Sequence, residues 1–118
     1  MSKLTTIALA AVSAPTGTQT SSAIDVSDFT GNCQLILDCA APAAAETLDV
    51  KLQHSDTSGG TYTDTGESFT QVTNAGGASY QVLNVSADKF KKFVKVVQTK
   101  VGTTALARGV YLVGNKAY

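Results

Sequence analysis

Two stretches in which apolar residues recur at every second position constrain the fold of this chain most. From Asn32 to Ala40, every second position is apolar: Cys33, Leu35, Leu37 and Cys39. From Leu48 to His54 the same pattern returns, with Asp49, Lys51 and Gln53 as the polar set. Because successive side chains of a β-strand point to opposite faces, each stretch predicts a strand with one face on a core. We therefore expect Leu35, Leu37, Val50 and Leu52 to be buried.

Shorter strand-like segments follow at close intervals, separated by turn residues. The segments are Leu4–Ala10, Ser22–Val26, Phe69–Val72, Ser79–Val85, Phe93–Thr99 and Leu106–Val113, and Val94 and Val96 within them are expected in the core. The turns are Pro15-Thr16-Gly17, Ala41-Pro42-Ala43, Ser58-Gly59-Gly60 and Asn74–Gly77. Ser58-Gly59-Gly60 predicts a hairpin leading to Tyr62 and Asp64. A turn near Gly102 predicts a second hairpin between the last two strands.

This spacing of short strands is typical of an antiparallel sandwich or barrel. Ser86–Lys92 is the one segment compatible with a helix, and it is long enough for a single turn. The prediction is an all-β fold: one antiparallel β-sandwich or barrel-like domain over residues 1–118, with short turns and at most one short helical turn. Residues 1–20 form either an extended N-terminal arm or a strand.

The N-terminus superficially resembles a secretory signal, because Lys3 precedes an apolar run over Ile7–Val12. Thr5 and Thr6 interrupt that run, and Pro15 would follow the cleavage point, so we expect a strand instead. No apolar stretch approaches the ~20 residues needed to cross a membrane.

Cys33 and Cys39 lie in one predicted strand, roughly 20 Å apart at ~3.3 Å per residue, which is beyond disulfide reach. We expect two buried free thiols and synthesis in a reducing bacterial cytoplasm.

Acids and bases are sorted along the chain. All nine acids lie between Asp25 and Asp88, and Lys3 and Lys51 are the only bases up to Asp88, so residues 1–88 carry 2 − 9 = −7. The segment from Lys89 to Tyr118 has seven bases and no acid, or +7. These opposed charges must pair within a subunit or between copies. Sparse charge and a net charge of zero give a free monomer poor colloidal protection, so we expect a homo-oligomer or a larger assembly.

The strongest candidate interaction site is the basic segment, which we define as residues 89–95. Its bases are Lys89, Lys91, Lys92 and Lys95, interleaved with Phe90 and Phe93. Basic and aromatic residues together can bind nucleic acid, but the acidic remainder opposes a broad phosphate footprint. We favour a protein partner. The alternative is a solvated face whose phenylalanines anchor in the core.

No catalytic or metal-binding constellation is evident, so we expect no enzyme activity, no cofactor and no bound metal. His54 is the single histidine and has no second histidine or nucleophile to act with, which favours a hydrogen-bonded structural role. Asp56, Asp64 and Glu67 flank the Gly59-Gly60 turn and could hold a hard cation weakly. Their spacing matches no cation-loop motif, and such residues at turns usually bond the backbone.

One stretch resembles a known family. It comprises Val50-Lys51-Leu52-Gln53-His54-Ser55-Asp56, then Ser58-Gly59-Gly60-Thr61-Tyr62-Thr63-Asp64-Thr65-Gly66, then Phe69 and Val72. It is similar to a recurring hairpin of small virion proteins of tailed bacteriophages. The likeness extends to L-T-T-I-A-L-A at residues 4–10, S-A-I-D-V-S-D-F-T-G at 22–31 and F-K-K-F-V-K-V-V at 90–97. Similar hairpins also occur in carbohydrate-binding and adhesive β-domains.

The resemblance implies a structural virion protein, most like a capsid decoration (cement) protein. Such a protein would bind the capsid surface and stabilise the particle through contacts between subunits. Its partners would be the major capsid protein or other virion proteins. A head–tail connector or tail component is an alternative, and a carbohydrate- or receptor-binding adhesive domain is another. The resemblance assigns no catalytic residue.

Overall fold

The computed structural model describes residues 2–14 and 16–117, with side chains described for residues 4–10, 13–14 and 16–115. The first sheet has four strands in the order β1 (Ser2–Ser13), β10 (Arg108–Ala117), β4 (Phe29–Cys39) and β8 (Ser79–Ser86). The second sheet centres on β9 (Phe93–Val101) and β5 (Thr47–Ser55). Short strands β2 (Gln19–Thr20) and β3 (Ile24–Asp25) pair with β9, while β6 (Thr63–Ser68) and β7 (Val72–Thr73) pair with β5.

All these pairings are antiparallel, and the inner faces of the two sheets enclose one core. The only helical element in the described chain is a single 3₁₀ turn over Ala87–Lys89. The predicted all-β fold with at most one helical turn is confirmed, and of the two predicted architectures the structure is the sandwich. No helix in the residues that the structure describes is long and apolar enough to span a membrane.

The two alternating stretches form the strands that their pattern predicts. The apolar set of β4 and that of β5 both face the core, and the predicted core residues are buried: Leu35, Leu37, Val50, Leu52, Val94 and Val96. Cys33 and Cys39 are buried free thiols, as expected. Gly114 of β10 lies beside Cys33 of β4, where the pairing of the two strands is irregular, and a β-carbon there would collide with Cys33 Sγ. The absence of a side chain at Gly114 therefore allows the close packing.

Ser58-Gly59-Gly60 lies in the turn between β5 and β6, which pair as the predicted hairpin. The predicted C-terminal hairpin is wrong. β9 pairs with β5 in the second sheet, whereas β10 pairs with β1 and β4 in the first. The chain from residue 102 to residue 107 crosses from one sheet to the other. Both strands bury alternate residues. That pattern is the same whether β10 pairs with β9 after a turn at Gly102 or joins the opposite sheet.

Two other predicted strands are interrupted. Ser22–Val26 contributes two residues to β3, and β2 precedes it separately. Phe69–Val72 is mostly a connection, with Phe69 buried between β6 and β7. Both segments nevertheless place apolar residues in the core, Val26 in the first and Phe69 and Val72 in the second. The N-terminal segment is strand β1 over Ser2–Ser13; the predicted turn at Pro15-Thr16-Gly17 falls partly outside the described residues.

Candidate functional site

The basic segment connects the two sheets at one end of the sandwich. It begins in the 3₁₀ turn that follows β8 and ends within β9. Ala87 anchors the turn, because it is buried and its carbonyl accepts the Phe90 N–H at 3.1 Å. Lys92 accepts the Val26 N–H through its carbonyl at 2.9 Å. Hydrogen bonds therefore fix the backbone of the segment at Phe90 and at Lys92, and this sets the positions from which its side chains extend.

The lysines of the segment face outward, Phe90 packs against the core, and Phe93 lies on the outer face of β9 with Lys95. Lys89, Lys91 and Lys92 are exposed and Lys95 is half-buried. Phe90 is half-buried and packs against the core, and Phe93 is also half-buried. Phe90 therefore anchors the segment, and the lysines supply the charge of its surface.

None of the four lysines forms an ion pair within the described part of the chain, whose salt bridges are Lys51–Asp64 and Lys100–Glu46. Two of the four lie over aromatic rings instead. Lys95 Nζ is 4.4 Å from the centroid of the Tyr62 ring, and Lys92 Nζ is 5.5 Å from that of Phe93. Such cation–π contacts contribute about 0.5–1 kcal/mol at exposed sites and leave the positive charge available to a partner.

Carboxylates also lie at this end of the sandwich, although the sequence separates acids from bases. Asp25 is opposite Phe93 in the β3–β9 pairing, and Asp88 lies in the 3₁₀ turn. Asp25 Oδ1 accepts the Ser27 N–H at 2.9 Å and its hydroxyl at 2.6 Å, while Asp88 Oδ1 accepts the Gly31 N–H at 3.3 Å. These acids bond the backbone of neighbouring turns, and the end of the sandwich is mixed in charge rather than purely basic.

His54 supports the basic segment from β5. Its Nδ1 accepts the Lys91 N–H at 3.3 Å, so the neutral ring carries its proton on Nε2. Burial, and then the charge of Lys91, hold the pKa of His54 below its ordinary value. This arrangement is the structural role that the sequence favoured. Next to it, the Tyr62 hydroxyl donates to the Ser58 carbonyl at 2.9 Å, which fixes the ring beneath Lys95.

The structure thus adds His54 and Tyr62 to a surface that sequence reasoning confined to residues 89–95. The register of β5 with β9 explains the contact with His54, which lies opposite Val94. Tyr62 is brought to the surface by the β5–β6 hairpin. In that hairpin Asp64 pairs with Gln53, and Gln53 pairs on its other side with Lys95. Only a knowledge of which strands pair could have revealed either contact. A shallow groove beside the segment is lined by Val26, Phe29, Phe90 and the lysines at 91 and 92, among others.

The acids around the Gly59-Gly60 turn do not converge. Asp64 accepts bonds from Gln53 Nε2 at 2.9 Å and Lys51 Nζ at 3.3 Å, which hold its pKa below the ordinary value. Across residues 2–14 and 16–117, no group of three or more His, Cys, Asp or Glu side chains is placed to hold a metal ion. The carboxylate of Asp64 therefore serves the pairing of β5 with β6.

Comparison with known proteins gives a likeness of fold. A chain of the infectious bursal disease virus VP2 subviral particle aligns with a TM-score of 0.56 and 12% identity over 98% of this chain. A chain of the infectious bursal disease virus Gx strain aligns with a TM-score of 0.51, again at 12% identity over 98%. The present chain spans about a third of those chains, 33% and 32%. No protein-family model and no curated protein sequence matches it.

At this level of identity the likeness concerns the fold alone. The described chain is an all-β sandwich with a fold that a viral particle protein also uses.

Proposed function

We propose that this chain is a structural virion protein that binds the surface of a tailed-phage capsid and stabilises the particle through contacts between subunits. The observation that carries the proposal is the fold likeness to a chain of the VP2 subviral particle, which extends over 98% of this chain. The motif resemblance around the β5–β6 hairpin supports it from the sequence. It supplies the finer assignment to a decoration (cement) protein, made in the host bacterial cytoplasm and located in the virion.

The role proposed is one of binding and not of catalysis. A decoration protein engages many equivalent sites, so it needs a rigid body and repeated surface contacts. Rigidity is provided by polar bonds between segments distant in sequence, such as the partly buried bond from Arg108 Nη2 to the Gly17 carbonyl at 2.9 Å. A satisfied polar bond of this kind has a defined geometry and therefore opposes relative movement of the elements that it joins.

The basic segment is the proposed contact with the particle. Its lysines protrude without an intramolecular ion pair in the described chain, so a partner's carboxylates could bond them at low desolvation cost. The partner we propose is the major capsid protein or another virion protein presenting acidic side chains. Electrostatic complementarity of this kind sets orientation and the rate of association more than the affinity itself.

The tyrosines favour this role over an adhesive one. A sugar- or receptor-binding domain exposes aromatic rings on loops, but the loop residue Tyr62 is half-buried beneath Lys95 and bonded to Ser58. Tyr80 is exposed, yet it lies on β8 rather than on a loop.

Analysis of purified particles tests the proposal directly. Mass spectrometry of virions purified from an infected culture should detect the chain at a copy number comparable with that of the shell proteins. A particle reconstruction should show its two-sheet density repeated across the shell. Density confined to one vertex or to the tail would assign it to the connector or tail instead. Absence from virions, with abundant chain in the lysate, would refute a structural role.

A further inference from the structure

Three of the four sheet edges are protected against pairing with another strand. On one edge of the first sheet, the pairing of β1 with β10 is irregular between Ala8 and Ala10 and again between Ala10 and Ser13. One edge of the second sheet consists of the two-residue strands β2 and β3. Its other edge has the two-residue β7 and the strand β6, which carries Asp64 and Glu67. Short strands, irregularities and charged residues are the means by which proteins block edge pairing.

The fourth edge, strand β8, has none of these protections, although Gln81 on its inner face bonds the backbone of Thr70 in the connection between β6 and β7. Ser79–Ser86 contains no charged residue and no proline. Its eight residues pair with β4 in one uninterrupted register. No other strand of the described chain pairs with β8, so alternate residues direct their backbone N–H and C=O groups away from the sheet. Tyr80 is 68% exposed and Val82 is 42% exposed on its outer face.

An apolar row crosses the outer face of the first sheet and ends at this edge. The registers place Ala8 beside Tyr111, Tyr111 beside Ile36, and Ile36 beside Val82. The corresponding row on the outer face of the second sheet is charged or polar: Lys95, Gln53 and Asp64. The two rows therefore differ in character, and the apolar one ends at the unprotected edge.

We propose that β8 pairs antiparallel with β8 of a second copy of this chain, about a twofold axis at Val82. The two four-stranded sheets then form one eight-stranded sheet. The apolar row continues through Val82 of both copies, and Tyr80 lies opposite Asn84 of the second copy. The new pairing satisfies the backbone groups of both edges, which is the usual source of affinity when a strand is added to a sheet.

The charges favour a second copy as the occupant. A twofold axis places each residue near its own counterpart, so a charged strand would oppose like charges, whereas β8 has none to oppose. The basic segment follows β8 directly, and antiparallel pairing puts the two basic segments at opposite ends of the joint sheet. The lysines of both copies thus stay free for the particle contact proposed above. The pairing itself does not depend on that contact.

The mass of the purified chain in solution tests the pairing. We expect light scattering after size exclusion to give twice the 12.1 kDa of the chain at micromolar concentration. Val82→Lys places two charges at the axis and should give the mass of one chain, with an unchanged circular dichroism spectrum. Thr6→Lys is the matched control, because Thr6 is exposed at the opposite edge of the same sheet; it should remain at twice the mass.

Cysteine cross-linking tests the register independently of the lysine variant. Under mild oxidation Val82→Cys should form a covalent dimer, because its counterpart is directly opposite. Asn84→Cys should not, since the two copies of residue 84 are separated by about 13 Å along the strands at ~3.3 Å per residue. Cross-linking at residue 84 and not at 82 would refute this register.

A wild-type chain that stays at the single-chain mass up to millimolar concentration would overturn self-pairing. If the Val82→Lys variant also failed to bind particles, the β8 edge would pair with a strand of another virion protein instead. A dimer unaffected by Val82→Lys would place the contact elsewhere. Neither result changes the virion assignment, which depends on the presence of the chain in particles.

Discussion

Arg108 Nε donates to Gln98 Oε1 at 2.5 Å, and this bond joins the inner faces of the two sheets. Arg108 is the first residue of β10 and Gln98 lies in β9, and both side chains are buried. Arg108 Nη2 also donates to the Gly17 carbonyl at 2.9 Å. Burial lowers the pKa of Arg108, but the guanidinium stays charged at neutral pH. One buried side chain therefore ties together β9, β10 and the connection after β1.

Replacing Arg108 by Met should destabilise the fold more than any surface charge substitution. The change leaves the buried Gln98 amide oxygen without its donor and removes the bond to the partly buried Gly17 carbonyl. An unsatisfied buried group costs about 1–3 kcal/mol. Urea unfolding should show a loss of about 3 kcal/mol in the free energy of unfolding. The control is Lys51→Met at the exposed Lys51–Asp64 pair, where little change is expected. Equal effects from the two variants would contradict the bridging role of Arg108.

Acidification should weaken the crossover between β9 and β10 through Glu46. Its carboxylate accepts bonds from Lys100 Nζ, from the Thr104 N–H at 3.1 Å and from the Thr104 hydroxyl at 2.6 Å. The bond from Lys100, followed by that from the Thr104 hydroxyl, lowers the pKa of Glu46. Gly102 in this connection has φ +104°, and a β-carbon there would collide with the Glu46 side chain.

Because the folded pKa of Glu46 lies below its unfolded value, its contribution to stability is present at neutral pH. It should be lost as the pH falls from about 4.3, the ordinary glutamate value, through the lower folded value. Urea unfolding of wild type and Glu46→Gln between pH 3 and 7 should show a difference that shrinks below this point. Thr104→Val, which removes one donor, should show a weaker pH dependence than wild type. A difference between wild type and Glu46→Gln that does not vary with pH would rule out the mechanism.

Leu52 tests the core face of β5. It is 3% exposed between its neighbours Val50 and His54 on the same face. Truncation to Ala should lower the free energy of unfolding by roughly 2–5 kcal/mol, measured by urea or thermal denaturation. Gln53→Ala, on the opposite face of the same strand, provides the control. A loss at Leu52 no larger than that at Gln53 would mean that the face is wrongly assigned.

Cys33 and Cys39 should be unreactive until the chain unfolds. Burial is the main cause that raises the pKa of both thiols, which keeps them in the protonated and poorly nucleophilic form. Intact mass should be identical with and without reductant. A thiol reagent should modify both cysteines in urea and neither in buffer. Rapid labelling of the folded chain would show that β4 opens on its core face.

The sequence specified burial much better than strand pairing. In β4 and β5 the apolar period of two predicted the strand, the face that is buried and the core residues. It could do so because burial of one face is visible within the strand's own sequence. The pairing partners of β9 and β10 depend on which sheet each strand joins. A six-residue connection with Gly102 can make a hairpin or cross a gap of about 10 Å between sheets. Two strands that each bury one face have the same alternating sequence pattern whether they form a hairpin or lie in opposite sheets.

The candidate site shows the same division. Its lysines were evident from the charge run, but the ring of Tyr62 beneath Lys95 and the bond from Lys91 to His54 depend on registers between separate strands. The carboxylates of Asp25 and Asp88 are brought to the basic end by the fold. Charge sorting in the sequence therefore overstated the separation of charge in space.

Reversing the charge of the basic segment tests its proposed role in assembly. The triple substitution of Lys91, Lys92 and Lys95 by Glu should abolish binding to particles that lack the chain, measured by co-sedimentation. The variant should still fold, because none of these side chains forms an ion pair in the described chain. Raising the salt should reproduce part of the loss for wild type, since charges are screened over about 10 Å at 0.1 M. Lys51→Glu, an exposed change on the outer face of the second sheet, is the control and should bind normally. If the triple variant occupies particles like wild type, the basic segment is a solvated face and the contact with the particle lies elsewhere.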